Sequence, residues 1–329
     1  MKKPSKQPSK QKSGGKKKKY RVRNWKEYNE ALVRRGEVTF WIAQEAVEKW
    51  KSEEKTSKPG RPKAFSDTAI ETALTLREVF HLSLRQTEGF LRSVLKAMRA
   101  VANAPDYSTL SLRAAALDVT IRVRPVSGKP LHIVVDSTGV KVYGEGEWKV
   151  RQHGWSKRRT WTKVHLGVDE ASGDVVAGEV TSNSVADGEM LGPLLAQLPD
   201  AVVIDQCSAD GAYDKRRCYA ALQKRNVRQI AIPPRHGARI WRHGNSMEER
   251  LPRDENVRAI RMVGRKRWKK NVNYHRRSLS ETTMFRYKTI FGEDVSNRTD
   301  QNQRTQLLLR IRALNLMTTL GMPRSEAVA

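Results

Sequence analysis

Two acids in this sequence sit where a strand ends. Asp136 closes the β-branched run Leu131-His132-Ile133-Val134-Val135, and Asp210 follows shortly after residues 201–204, inside Ser208-Ala209-Asp210-Gly211-Ala212-Tyr213-Asp214. An acid at the C-terminal end of a core strand faces the crevice in which open α/β sheets place their ligands. Burying it there without a partner is costly. A divalent cation such as Mg²⁺ is a fitting partner, because it takes oxygen ligands and is held by one or two carboxylates plus substrate phosphates. A third feature lies further on. Tyr274, Arg277, Glu281 and Lys288 are spaced by 3, 4 and 7 residues. On a helix turning about 100° per residue they share a sector of roughly 60°. One face then carries an aromatic ring, two cations and one carboxylate. Such a face suits phosphates and a metal ion, and from spacing alone it equally suits a solvated, ion-paired surface.

The elements that must position these residues are legible in outline. Residues 131–136 read as a strand, with residues 140–143 pairing back on it. Residues 161–168 and 174–181 alternate in the manner of strands and complete an antiparallel meander. Residues 187–198 and 214–224 read as helices, with strands at 201–204 and 229–232. Residues 235–270 are basic and irregular, 274–288 are helical, and a last helix runs from about 301 to 320. Strands, helix, strand, helix, strand predict a mixed α/β sheet with flanking helices.

Upstream, residues 1–24 form a lysine-rich arm with eleven cations and no acid, read as disordered because they offer almost nothing to bury. Residues 25–50 predict short helices, followed by a polar linker. Ser66-Asp67 caps a helix, residues 84–98 supply a second, and Pro105-Asp106-Tyr107-Ser108 breaks the chain before a third. This helical region, residues 25–125, has the outline of a helix-turn-helix reader; an ordinary small helical bundle is the alternative. Arg85 with Gln86, or Ser111 with Arg113, would face a groove. Gly60-Arg61-Pro62 could place Arg61 in a narrow minor groove or be a plain linker.

Lys and Arg total 63 against 35 Asp and Glu, a formal net charge of +28. That surplus repels itself and points to a polyanionic partner, nucleic acid above all. Two cysteines, Cys207 and Cys218, exclude a disulfide framework or a cysteine zinc site and suit a reducing cytoplasm. With no apolar run of about 18 residues, no membrane span is predicted.

The segment Tyr274-x-x-Arg277-x-x-x-Glu281-x-x-x-x-x-x-Lys288 resembles, without gaps, the signature of bacterial insertion-sequence transposases of the DDE class. Val135-Asp136-Ser137-Thr138-Gly139 and Ala209-Asp210-Gly211-Ala212-Tyr213-Asp214 resemble that family's first and second acidic motifs. The likeness extends over roughly residues 58–322 and is nearest to the insertion-sequence-five type, closely related to the insertion-sequence-four superfamily.

The resemblance implies a ribonuclease-H-like catalytic domain over residues 126–322, with the basic insert at about 235–270. It implies Asp136, Asp210 and Glu281 as catalytic and metal-ligating residues holding two Mg²⁺, or Mn²⁺ as a substitute, about 3.5–4 Å apart. The partners implied are the element's terminal inverted repeats and target DNA, bound by a homodimer or higher oligomer on the bacterial nucleoid. The reactions implied are strand cleavage and strand transfer. The rivals are a non-cutting DNA-binding regulator of the same descent and an endonuclease that does not join. Arg277, Lys288 and Tyr274 would contact DNA near the cut. Trp268, like Trp241, would stack on an unpaired base or pack within the insert. Arg158 and Arg159 belong to a charge run on a hairpin with interleaved tryptophans, expected to face DNA. Asp169, Asp205 and Asp214 are nearby acids without an assigned part, Asp214 being a helix cap. His153, His165 and His275 are single residues for DNA contact or packing.

Overall fold

The computed structural model describes residues 19–52, 62–121, 123, 129–142, 161–242 and 250–328. In chain order the elements are β1 (Lys19–Val22), α1 (Trp25–Arg34), α2 (Val38–Trp41), α3 (Gln44–Glu48), α4 (Asp67–Val79), α5 (Leu84–Ala97), α6 (Tyr107–Ala116), β2 (Leu131–Val142), β3 (Trp161–Asp169), β4 (Val175–Ser182), α7 (Asp187–Ala196), β5 (Ile204–Ser208), α8 (Arg216–Lys224), β6 (Gln229–Ala231), α9 (Pro252–Val263), α10 (Arg265–Asn271), α11 (Ser278–Phe291), β7 (Asp294–Val295), α12 (Asp300–Leu320) and β8 (Ser325–Val328).

The main sheet has the order β4-β3-β2-β5-β6, with β7 on the far end of β2. The first three strands are antiparallel; β5 runs parallel to β2, and β6 parallel to β5. β2 can be central because Ile133, Val134 and Val135 are all fully buried. A strand covered on both faces reads as a continuous apolar run. Side chains alternate between the faces. Ile133 and Val135 join Leu191, Leu194, Tyr219 and Leu222 of α7 and α8 in one core. The even positions, Asp136 among them, point to the other face, where α11 lies against β2.

That second face shares its core with the helical region. Leu76, Leu91 and Leu110 of α4, α5 and α6 belong to one cluster with Val164 and Leu166 of β3 and Leu307, Ile311 and Leu314 of α12. Local caps define the three helices. The Ser66 hydroxyl accepts from Ala69 N–H, Ser83 and Gln86 form a reciprocal capping box, and Asp106 accepts from Thr109 N–H.

Five sequence expectations change here. Lys19–Val22 pairs antiparallel with Ser325–Val328, so the end of the basic arm is a strand. Residues 140–142 continue β2 instead of folding back on residues 131–136. No turn forms at Gly139; its missing side chain leaves room for the Trp161 ring, which a Cβ would meet at 3.3 Å. The strand expected at 201–204 lies at Ile204–Ser208, and Val203 is exposed. The insert is helical at α9 and α10, started by Pro252 at the first turn and divided by Gly264 at φ 79°. The helix expected at 274–288 begins as a 3₁₀ turn, Tyr274–Arg277, after Asn273 at φ 51°, and continues as α11 to Phe291.

Candidate active site

Three elements bring the site together. β2 carries Asp136 at the parity that faces α11. β5 ends at Ser208, and two residues later Asp210 caps a 3₁₀ turn, its Oδ1 accepting from Ala212 N–H at 2.8 Å. β2 and β5 are adjacent, and Val134 pairs with Ser208, so Asp136, which lies mid-strand instead of closing β2 as its sequence suggests, stands beside the point where the chain leaves β5 for Asp210. The turn before α11 is held in place from below: Gln206 on β5 donates to the Val272 carbonyl at 2.9 Å.

Arg277 is the hub. Its guanidinium donates to Asp136 Oδ2 at 3.0 Å and also pairs with Glu281 one helical turn on. Ser280 Oγ donates to the same Asp136 oxygen at 3.1 Å, and Ser137 N–H donates to the other at 2.9 Å. Tyr274 lies behind, with Arg277 6.0 Å and Lys269 5.0 Å from its ring centre. Glu281 has 58 % of its side chain exposed against 19 % for Asp136, so it forms the outer lip of the cleft.

The electrostatics are those of an acid excess. Burial raises the Asp136 pKa and Asp210 adds to the rise, while Ser137 N–H, Arg277 and Ser280 oppose it. Burial works against the Arg277 charge, but Tyr274, Asp136, Glu281 and Asp210 outweigh it and raise that pKa. The Tyr213 hydroxyl is buried without a partner; burial raises its pKa, and the charges of Asp187, Asp136 and Asp210 raise it further. The three carboxylates offer the hard oxygen donors a divalent cation takes. Among the described residues, however, no three acidic, histidine or cysteine side chains are gathered closely enough to hold one. The guanidinium of Arg277 stands between Asp136 and Glu281 as a cation would.

The other sequence-predicted residues fall in different places. Lys288 is on α11, with Nζ 3.9 Å from Glu293. Arg85 is exposed and lies 4.3 Å from the Tyr107 ring centre. Arg113 donates to the Phe65 carbonyl at 2.8 Å and pairs with Asp67, so it ties α6 to the start of α4 rather than facing a groove. Trp268 is 2 % exposed, with Nε1 bonded to Asn256. Its expected stacking on a base is corrected, because its ring is covered by the insert and by Tyr274. Trp241 also packs inward, under Arg253 and against Tyr219. Asp214 is no cap: it is buried in an ion pair with Arg253 at 2.7 Å. Asp169 accepts from Ala171 and Ser172 in its own turn, and Asp205 pairs with Arg228. His165 is buried against Thr181. Arg61, Arg158, Arg159 and His153 lie outside the described residues. Ser280 was not singled out in the sequence; nothing in its spacing marks it, since only the packing of α11 on β2 brings it to Asp136.

A mixed sheet with one acid on its central strand and another just past the adjacent strand, faced by a 3₁₀ turn that adds an arginine and a helix that adds a glutamate, defines a cation-seeking site in a strongly basic protein. Residues 127–316 match a family model described as a transposase DDE domain, and residues 33–145 match a second model of the same description. The chain belongs to the DDE transposase family, of the insertion-sequence-four-like type. It is also similar, at 11 % identity and a TM-score of 0.37, to a piggyBac transposase in a cryo-EM structure of a synaptic complex with hairpin DNA. That likeness covers 88 % of this chain and 74 % of the other; at that distance it carries no argument about this chain. Among the described residues no helix is long and apolar enough to cross a membrane.

Proposed function

We propose that this transposase binds the terminal inverted repeats of its own mobile element, cuts the DNA at their ends and joins them to target DNA, with Asp136, Asp210 and Glu281 as the catalytic acids. The observation that carries this is Arg277, which pairs with both Asp136 and Glu281 and lies within the electrostatic reach of Asp210. The strand order, three antiparallel strands followed by parallel ones, is that of a ribonuclease-H-like core and supports the same reading. The helices α4, α5 and α6 suit a helix-turn-helix-like DNA reader, with Arg85 on its exposed side.

Asp136, Asp210 and Glu281 are the residues that would hold divalent cations, Mg²⁺ or Mn²⁺, once drawn closer together than they stand here; such ions would lower the pKa of water and stabilise the leaving oxygen of a phosphodiester. Asp136 is oriented for this by Ser280 and Ser137. Arg277, which here pairs with the carboxylates, would hold a phosphate in the bidentate manner guanidinium favours. Lys288 adds a second positive charge on α11, the helix that follows Arg277, and Tyr274 packs beneath Arg277. The chain's own work is positioning and charge stabilisation.

The test is cleavage of a duplex carrying the element's end, with and without Mg²⁺, by the wild type, Asp136→Asn and Glu281→Gln. Nicking at the boundary should need the metal and should fall by about 10²–10³-fold or more in either variant, while DNA binding persists. Full cleavage by either variant would overturn the site assignment. Binding without any nicking by the wild type would make the protein a DNA-binding regulator of transposase descent.

A further inference from the structure

A cleft of about 970 Å³ lies away from the three acids, between the helical region and α12. Its floor is polar and buried. Glu78 accepts from Arg310 at 2.6 Å and from Gln306 at 3.0 Å, and Arg77 lies 3.2 Å from its other oxygen. Arg77 also donates to Ser296 at 2.7 Å, yet its Nε is buried with no partner. The rim carries Arg85 and Arg298, both exposed and paired with no carboxylate among the described residues. Four arginines therefore face one glutamate. His81, at the corner between α4 and α5, holds φ 52°, a conformation that costs a non-glycine residue energy and clusters at functional sites.

We propose that this cleft is a second DNA-docking site, which takes backbone phosphates of the same duplex that is cut at the acids; it rests on the transposase reading above. A cation surplus on a fixed polar floor, with the hydroxyls of Ser111 and Thr299 in the lining, is the chemistry by which proteins hold phosphate and sugar without reading bases. The placement fits one duplex. Asp136 and Lys141 are five residues apart on β2, and Lys141 pairs with Asp294, two residues before Ser296 in the cleft wall. At about 3.3 Å per residue these steps put the wall roughly 23 Å from the acid. That is about seven base pairs of duplex at about 3.4 Å each.

The experiment uses the full chain and a fluorescein-labelled duplex carrying the inverted repeat, titrated over a salt series. The double variant Arg85→Ala, Arg298→Ala should lower the slope of log affinity on log salt by about 1.8, two phosphate contacts at about 0.9 each. Arg85→Lys, Arg298→Lys, which keeps both charges, should restore most of it. An unchanged slope and affinity in the alanine variant, with unchanged melting, would overturn the proposal. So would equal losses in the alanine and lysine variants. Stabilisation by inorganic phosphate with no change of DNA slope would make the cleft a free-phosphate site and overturn it too. Asp136→Asn on the same duplex separates the two readings. If it still cuts, the active-site reading fails whatever the cleft does; if it binds normally without cutting, only the cleft result bears on the docking site.

Discussion

Two regions of this protein are built around one charged group held between groups of the opposite sign, and they differ in which charge is in excess. Against β2, Arg277 faces Asp136, Glu281 and, at longer range, Asp210. Between α4 and α12, Glu78 faces Arg77 and Arg310. The second cluster is closed: Arg77, Glu78, Arg310 and Gln306 are all more than nine-tenths buried. The first is open, with Glu281 largely exposed. A buried network that is satisfied on most of its atoms acts as a joint, here fastening the helical region to the last helix. An open network with surplus acid is a place where one cation can be exchanged for another. The difference lies in exposure and imbalance, since the bonds themselves are of the same kind.

The largest expected effect is in the closed region. Glu78→Ala would leave two buried guanidinium groups without their carboxylate, which costs about 3–5 kcal/mol. Chemical denaturation should report it. A loss below about 1 kcal/mol, the range of surface pairs, would show that the α4–α12 joint is a solvated contact and remove the contrast.

Arg277→Ala sharpens the same contrast from the open side. Removing a positive charge beside Asp136 should raise the affinity of the DNA-free protein for Mn²⁺ about tenfold, a modest share of the Coulomb energy between close charges. Isothermal titration or Mn²⁺ electron resonance would measure it. Unchanged or weaker ion binding would mean that Arg277 orients the carboxylates and does not compete for their seat.

The smallest effect concerns the edge of the cationic cleft. Asp106 caps α6 just before Tyr107, the ring on which Arg85 rests. Hydrogen bonds from the Ser108 hydroxyl, and then from Thr109, lower its pKa from 3.8 to about 2. A depressed carboxylate stabilises the fold at pH values above its unfolded pKa, and that contribution fades as pH falls from about 4 towards 2. Asp106→Ala should therefore cost about 1 kcal/mol at neutral pH and clearly less at pH near 3, by denaturant melts at both. An equal cost at both would assign the effect to packing rather than to the charged cap.

Much of the site was legible before any fold was known. Asp136 and Asp210 follow apolar β-branched or strand-ending runs, and the Tyr274 to Lys288 stripe has helical spacing. These are local signals, carried by residue type and period. Residues 140–142 show where such signals stop: the Ser-Thr-Gly before them reads as a turn, but pairing with β3 on one side and β7 on the other keeps the strand extended. Asp214 reads as a helix cap because caps are local and cheap, while its true partner, Arg253, is 39 residues away. Trp268 stands in a basic stretch and Arg113 on a helix expected to face a groove, and contacts with other segments decide otherwise.

The sequence by itself determined the acids, their order, the alternation of strands with helices and the excess of positive charge. Only the tertiary structure decided that Ser280 and Arg277 hold Asp136, that a guanidinium stands where a cation could, and that Arg77, Arg85, Arg298 and Arg310 line one cleft. The reason is physical. Propensity and hydrophobic period act over a few residues, so they can be read along the chain. Charge pairing and burial act through space, and they join groups 232 residues apart, as in Glu78 and Arg310.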